Sequence, residues 1–380
     1  MRADERSWPT ARQRELIIAA TAPGERAAEA WQRWLRGGDL LDIDQPSYRL
    51  LPLLWRNRTA AGIAAEHLAL LRGCYRQSLW SVHRTLAAGM TAVDSLDAAG
   101  VPVMLLKGAA ILASNPPHIG IRPMADVDLL VPRPDAARAV RALQAGGWDS
   151  VHGLLAPIGV WHAVDLVRAE HERVDLHWSA TSVPGDDRAV WADARRATLL
   201  ERSVLVPSPT FQLLTTCVHG VGFDPAPVRW IADALLILGG RDQIDWPALL
   251  EEAVTRHVAV ALGQALRELA GRFDAPVPDR VVRALSRRLA PGERAAQRAA
   301  GGSGRGADYV VELQRYRRLR AIGDPDRAGS FVGHCARRWG FDSAASLARA
   351  VPPRLAQLAR HGRAEPWPEF ARRARAGRVA

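Results

Sequence analysis

At 380 residues the chain is too long for one small core and is sized for two or three packed units. Hydrophobic residues at 48% and charged residues at 24% exclude wholesale disorder, a collagen-like repeat and a disulfide scaffold. The net charge of +11 sits entirely in the last third, where residues 276–380 hold 22 arginines and nine acids, against 29 basic and 31 acidic side chains in residues 1–275.

Such a segment is either a solvated surface or a contact for phosphate, nucleic acid or an acidic partner. No run of about 18 apolar residues offers a membrane span, and the start of the chain (Arg2, Asp4, Glu5, Arg6) lacks the apolar stretch of a signal peptide. Cys74, Cys217 and Cys335 are widely separated, with no zinc or redox spacing. A reducing, cytoplasmic location without membrane contact is expected. Of 51 basic residues only Lys107 is lysine, which singles out that ammonium in a chain that otherwise writes its cations as arginine.

In chain order, residues 1–98 read as a helical region. Ala28, Trp31, Trp34 and Leu35 recur at helical spacing, as do Leu50, Leu51, Leu53 and Leu54, and 63–99 is one long periodic stretch ended by Gly100. The pattern changes in 99–204, an α/β core. Strands are expected at 101–106, 127–131, 160–167 and 174–178, with a helix opened by Pro134 over 134–145. Helices return in 205–290, at 210–219, 228–238, 246–270 and 279–289. Residues 291–380 read as a basic Gly/Arg-rich linker, 291–306, followed by C-terminal helices, so that removing them should leave nucleotide binding intact.

The chemistry concentrates between 105 and 178. Asp126 and Asp128 lie two apart on a strand and so share a face. A third acid, Asp175, lies in the strand Val174-Asp175-Leu176-His177-Trp178. Acids held among apolar neighbours need counter-charge, and Mg²⁺ with oxygen ligands supplies it. Three carboxylates suffice for two metal ions, which organise phosphoryl transfer with little covalent work from the protein. Lys107-Gly108 forms a side-chain-poor turn suited to phosphate, and Lys107 and Arg122 add positive charge. His177 shares the face of Asp175, either orienting that acid or contacting nucleotide. Arg229 and Asp233, four apart on a helix, face the same way, either as an i,i+4 ion pair, the favoured reading, or as part of a nucleotide-facing wall. His162 and Asp165 have no catalytic spacing, and no Gly-x-Ser-x-Gly elbow supports a serine nucleophile.

The runs LLKGAA, RPMADVDLLV and VDLHW resemble the uncharacterised nucleotidyltransferase family of the DNA-polymerase-beta-like nucleotidyltransferase superfamily. The likeness extends through YRLLPLLWRN, VRWIADALLIL and IDWPALLEEA to roughly residues 25–270. It implies an α+β fold, a small mixed-sheet nucleotidyltransferase core flanked by N-terminal and C-terminal helical domains. It implies Asp126, Asp128 and Asp175 as catalytic residues and metal ligands, two Mg²⁺ ions with Mn²⁺ as a substitute, and nucleotide contacts from Lys107, Gly108, Arg122 and His177. The superfamily's Gly-Ser phosphate turn is Gly108-Ala109 here, which removes one hydroxyl contact and puts the weight on Lys107.

The expected activity is Mg²⁺-dependent transfer of an NMP from an NTP to an acceptor hydroxyl or phosphate on a peptide, protein, small molecule or nucleic acid. The competing reading is a non-catalytic nucleotide- or nucleic-acid-binding scaffold that uses the basic C-terminal third.

Overall fold

The structure is a computed structural model that describes residues 8–114, 118–151, 158, 161–169, 172–182, 185–223, 227–240, 242–289, 292–300, 307–322, 329–361 and 367–375. A Thr10–Gln13 capping box opens the first helix, Ala11–Thr21, and the next, Gly24–Leu35, buries Trp31 and Trp34 with their rings stacked at 5.1 Å. The long periodic stretch forms the helix Ala65–Ala98. This long helix covers one side of a mixed sheet built from β1 (Met104–Leu105), β2 (Val127–Leu130), β3 (Asp149–Ser150), β4 (Ala163–Arg168) and β5 (Glu172–His177), in the order β1-β2-β5-β4-β3. Only β2 and β5 pair in parallel. The fold is a mostly helical α+β architecture around a small sheet.

The central strands owe their place to period-two alternation: Val127, Leu129, Val164, Leu166, Val174 and Leu176 are all buried and point away from the acids between them. The long helix lies close on this apolar face. A Cβ on its Gly89 would fall 2.6 Å from Val127 Cγ2, so a side-chain-free residue is what allows the approach.

On the other side, β1 is shorter than the expected strand, and the helix Lys107–Ala113 begins two residues after it. A second, two-stranded sheet of β6 (Arg195–Leu199) and β7 (Arg202–Val206) follows. The helices Pro209–Phe223, Pro227–Leu238, Trp246–Thr255, Ala259–Phe273 and Asp279–Arg287 complete one contiguous apolar core from Leu16 to Leu285.

Within 291–306, where composition suggested a linker, Glu293–Ala300 is a helix whose Glu293 carboxylate accepts from the Val260 backbone N–H at 2.6 Å. Residues 301–306 lie outside the described residues. The helices Phe331–Trp339, Ala344–His361 and Trp367–Arg375 close around a separate core in which Trp339 and Trp367 stack at 4.8 Å. No helix among the described residues is long and apolar enough to cross a membrane, and all three cysteines are free.

Candidate active site

Parallel pairing of β2 with β5 sets Asp128 directly beside Asp175, because register partners on adjacent strands share a face. Antiparallel pairing of β5 with β4 sets Asp165 on the other side of Asp175. Three Val-Asp-Leu tripeptides, 127–129, 174–176 and 164–166, therefore stand side by side, their apolar residues in the core and their acids in one row across the opposite face. Exposure grades along that row: Asp128 is buried, Asp175 half-buried and Asp165 exposed. Asp126 shares the face of Asp128 one residue before β2 and is exposed.

Two cations hold the inner acids. Lys107 Nζ donates to Asp128 Oδ1 at 2.5 Å and lies 3.8 Å from Asp175 Oδ2. His177 Nε2 lies 3.1 Å from Asp128 Oδ1 and 2.8 Å from Asp175 Oδ2. Burial opposes charge on all four groups, yet their mutual attraction prevails: His177 is pushed up to about 9, the Lys107 ammonium is raised, and Asp128 and Asp175 fall below the usual carboxylate range. Asp126 moves the other way, because the protein around it displaces water and the Asp128 charge repels its own. Lys107 has φ +43°, a backbone region that non-glycine residues rarely adopt, so the fold holds this ammonium in place at a cost of about 1–3 kcal/mol.

Beneath the turn, Arg122 Nε and Nη2 bond both carboxylate oxygens of Asp233 at 2.9–3.1 Å. Asp233 is thus taken by Arg122 and not by Arg229, which the spacing alone suggested; a buried bidentate pair outweighs an i,i+4 helical one. Arg229 instead adds a favourable charge toward Asp126. A Cβ on Gly108 would fall 2.1 Å from Arg122 Nη1, so the guanidinium packs against the bare backbone of that glycine. Arg122 is the floor of the Lys107-Gly108 turn.

A family model for uncharacterised nucleotidyltransferases matches residues 47–274, more than half of the chain and all five strands of the mixed sheet. The chain belongs to this nucleotidyltransferase family. Among solved structures, an antigenic nucleotidyltransferase-like protein from Paracoccidioides brasiliensis is similar at 17% identity, with 53% of this chain and 93% of that chain covered and a TM-score of 0.32. No curated protein sequence matches the chain.

The nucleotidyltransferase sheet carries a group fit for a metal ion. Asp128, Asp175 and His177 offer ligand atoms within 4.8 Å of one another. Asp175 Oδ1 is buried with no hydrogen-bond partner, an orphaned anionic oxygen that a hard cation satisfies.

Of the residues singled out by sequence, Lys107, Asp128, Asp175 and His177 meet directly. Asp126 stands at the rim, and Gly108 and Arg122 form the adjoining turn and its support. Three further groups, named from the sequence, were not assigned to the site. Asp165 was signalled only by the repetition of Val-Asp-Leu. Asp233 is 111 residues from its partner in sequence. His162 is half-buried with its ring 5.5 Å from that of His177, and lost hydration with the His177 charge pushes it well below the ordinary imidazole value. No local signal marks the last two.

Proposed function

We propose that this nucleotidyltransferase moves an NMP from an NTP to an acceptor hydroxyl or phosphate, releasing pyrophosphate. The observation that carries the reading is the opposed pair of buried Asp128 and half-buried Asp175, whose Oδ1 is buried and unsatisfied, matched by exposed Asp126 at the rim. Asp126, Asp128 and Asp175 would hold Mg²⁺ or Mn²⁺. When bound, such ions neutralise phosphoryl oxygens and lower the pKa of an attacking hydroxyl.

The remaining work belongs to side chains already in place. Lys107 reaches both inner acids, and its ammonium can turn from Asp128 to a phosphate oxygen when other positive charge takes up the carboxylate. Gly108 leaves its backbone open to the triphosphate, and Arg122 holds that backbone from below. His177 keeps Asp128 and Asp175 parallel and hydrogen-bonded, so it acts as a positioning residue and its nucleotide contact is indirect. Asp126, with its raised carboxyl, is the acid nearest solvent and the one that an incoming acceptor meets.

The test is incubation of the full chain with each labelled NTP, Mg²⁺ and candidate acceptors (the protein itself, other protein, RNA, small molecules), with mass spectrometry for NMP adducts. Adducts with wild type and none with Asp128→Asn support the reading. Equal labelling by both proteins refutes it.

A further inference from the structure

The basic C-terminal third turns part of its charge inward. The helices Ala307–Ala321 and Phe331–Trp339 carry Arg315, Arg318 and Arg338; one carboxylate, Glu312, serves Arg315 and Arg338, while Arg318 lies in the field of Arg256, Glu252 and Asp186. Glu312 Oε1 accepts from Arg315 Nη1 at 2.6 Å and from Arg338 Nε at 3.2 Å, and Oε2 meets His334 Nε2 at 3.0 Å. Both oxygens of the acid are thus engaged. Arg315 is 8% exposed and Arg318 7%, and the side chain of Arg338 is 11% exposed. Yet Arg315 Nε, Arg318 Nε and Arg338 Nη1 are buried without any hydrogen-bond acceptor.

The neighbouring Arg256 shows what a satisfied buried guanidinium looks like here: it bonds Asp187 and Glu252, each at 2.7 Å, and the Asp186 carbonyl at 2.9 Å. Two guanidinium groups on one carboxylate leave an excess of positive charge in a dry seam, a costly state unless a further anion completes it. Burial and the Arg315 charge push Arg338 down to about 10, and burial with the Arg256 charge lowers Arg318.

The seam opens toward the acids of the sheet. The Arg338 guanidinium lies 3.5 Å over the Trp161 ring, and the Trp161 carbonyl accepts the Trp178 indole N–H at the end of β5 at 2.6 Å. His162 follows, against His177, and the charges of Arg315 and Arg338 both reach it.

We propose that Arg315 and Arg338, backed by Arg318, form a receiving site for a phosphate or pyrophosphate group between the C-terminal helices and the sheet. The site stands on the unmatched arginines; only the origin of the phosphate, the NTP's terminal phosphates or a phosphorylated acceptor, rests on the nucleotidyltransferase reading. Planar guanidinium groups with free Nε and Nη donors suit phosphate oxygens. Because those donors lack solvent-accessible surface, the anion enters as the C-terminal helices part from Trp161, a movement their separate core permits.

The experiment is calorimetric titration of the full chain with inorganic pyrophosphate in EDTA, where the acidic row repels the probe. Arg315→Gln and Arg338→Gln should each weaken binding about ten- to a hundred-fold, the worth of one or two hydrogen bonds to a charged group. Exposed Arg372→Gln should leave it unchanged. Unaltered affinity in both seam variants, or no pyrophosphate binding by wild type, overturns the proposal. If either glutamine variant loses its near-ultraviolet circular dichroism, Arg338→Lys decides. It keeps charge against Glu312 but loses the forked donors, so a clear loss of affinity supports the site and an unchanged affinity overturns it.

Repeating the wild-type titration in saturating non-hydrolysable NTP separates the sources. Competition assigns the site to the NTP's own phosphates, and simultaneous binding assigns it to the acceptor. NMP transfer with unaltered pyrophosphate binding in the variants sinks this inference alone, whereas altered binding without any transfer sinks only the transferase reading.

Discussion

Substituting Asp233 isolates what the buried Arg122–Asp233 pair does. Both side chains are less than 10% exposed and joined by three short contacts, and burial disfavours the Arg122 charge while the Asp233 carboxylate more than offsets it. Asp233→Ala leaves a buried guanidinium without its anion, at a cost of about 3–5 kcal/mol. At about 2–4 °C per kcal/mol for units of roughly 150–250 residues, the midpoint should fall by about 6–20 °C. Replacing the pair with apolar groups of similar volume, Arg122→Met with Asp233→Leu, should restore most of the stability, because no buried charge then lacks a partner. The same double variant removes the guanidinium against Gly108, so NTP affinity should fall although the fold is recovered. Urea unfolding of wild type, Arg122→Met, Asp233→Leu and the double variant, which form the cycle, together with Asp233→Ala, and NTP binding on each, checks both halves. A loss under about 1 kcal/mol in Asp233→Ala, or strictly additive effects in the double variant, refutes the reasoning.

Gly89→Ala should destabilise by about 1–2 kcal/mol, since its new methyl meets three atoms of Val127 at 2.6–2.9 Å and the roughly 1 kcal/mol gained in helix propensity offsets only part of that overpacking; urea unfolding reads it, and a stabilised variant contradicts the close approach. Lys107→Arg should weaken NTP binding about ten-fold, the worth of one charge-assisted hydrogen bond, because a planar fork cannot replace the ammonium 2.5 Å from Asp128 in that turn; fluorescence titration with equal affinity for both proteins would make Lys107 incidental. Burial alone would raise Glu312, but the His334 hydrogen bond and the charges of Arg315 and Arg338 hold it at about 2, against 4.5 when unfolded. A depressed carboxyl stabilises the fold fully above its unfolded value, so about 3 kcal/mol should be lost as pH falls from 4.5 toward 2. Acid titration followed by near-ultraviolet circular dichroism of the Trp339–Trp367 stack should show that loss in wild type. Glu312→Gln should lack it, and an identical acid midpoint in both proteins contradicts the assignment.

The parts of the site that lie within one strand or one turn were legible in the sequence. Asp126 and Asp128 share a face by alternation, Asp175 and His177 likewise, and Lys107-Gly108 is a single turn. Pairing between distant segments was not. Only the β5–β4 register shows that Asp165 belongs to the row, although the Val-Asp-Leu repeat was visible, and a spacing of four pointed Asp233 at Arg229 when its partner lies across the core. The β6–β7 hairpin gave no sign because its turn, Leu200 and Glu201 at φ +48° and +61°, uses left-handed backbone without the glycine or asparagine that usually announces it. Composition also misread Glu293–Ala300, since one capping carboxylate on Val260 anchors a segment that small and charged residues made look like a linker. The same composition placed 22 arginines in the last third without telling which of them turn inward.

The central claim is that the carboxylates facing one another on β2 and β5 hold the cation that NMP transfer needs. Manganese titration by electron paramagnetic resonance on wild type, Asp128→Asn and Asp175→Asn, paired with labelled NMP transfer by the same samples, tests it most directly. The account predicts that each substitution abolishes transfer and weakens manganese binding while circular dichroism stays unchanged. Wild-type transfer by either variant, or manganese bound equally by all three, would contradict it.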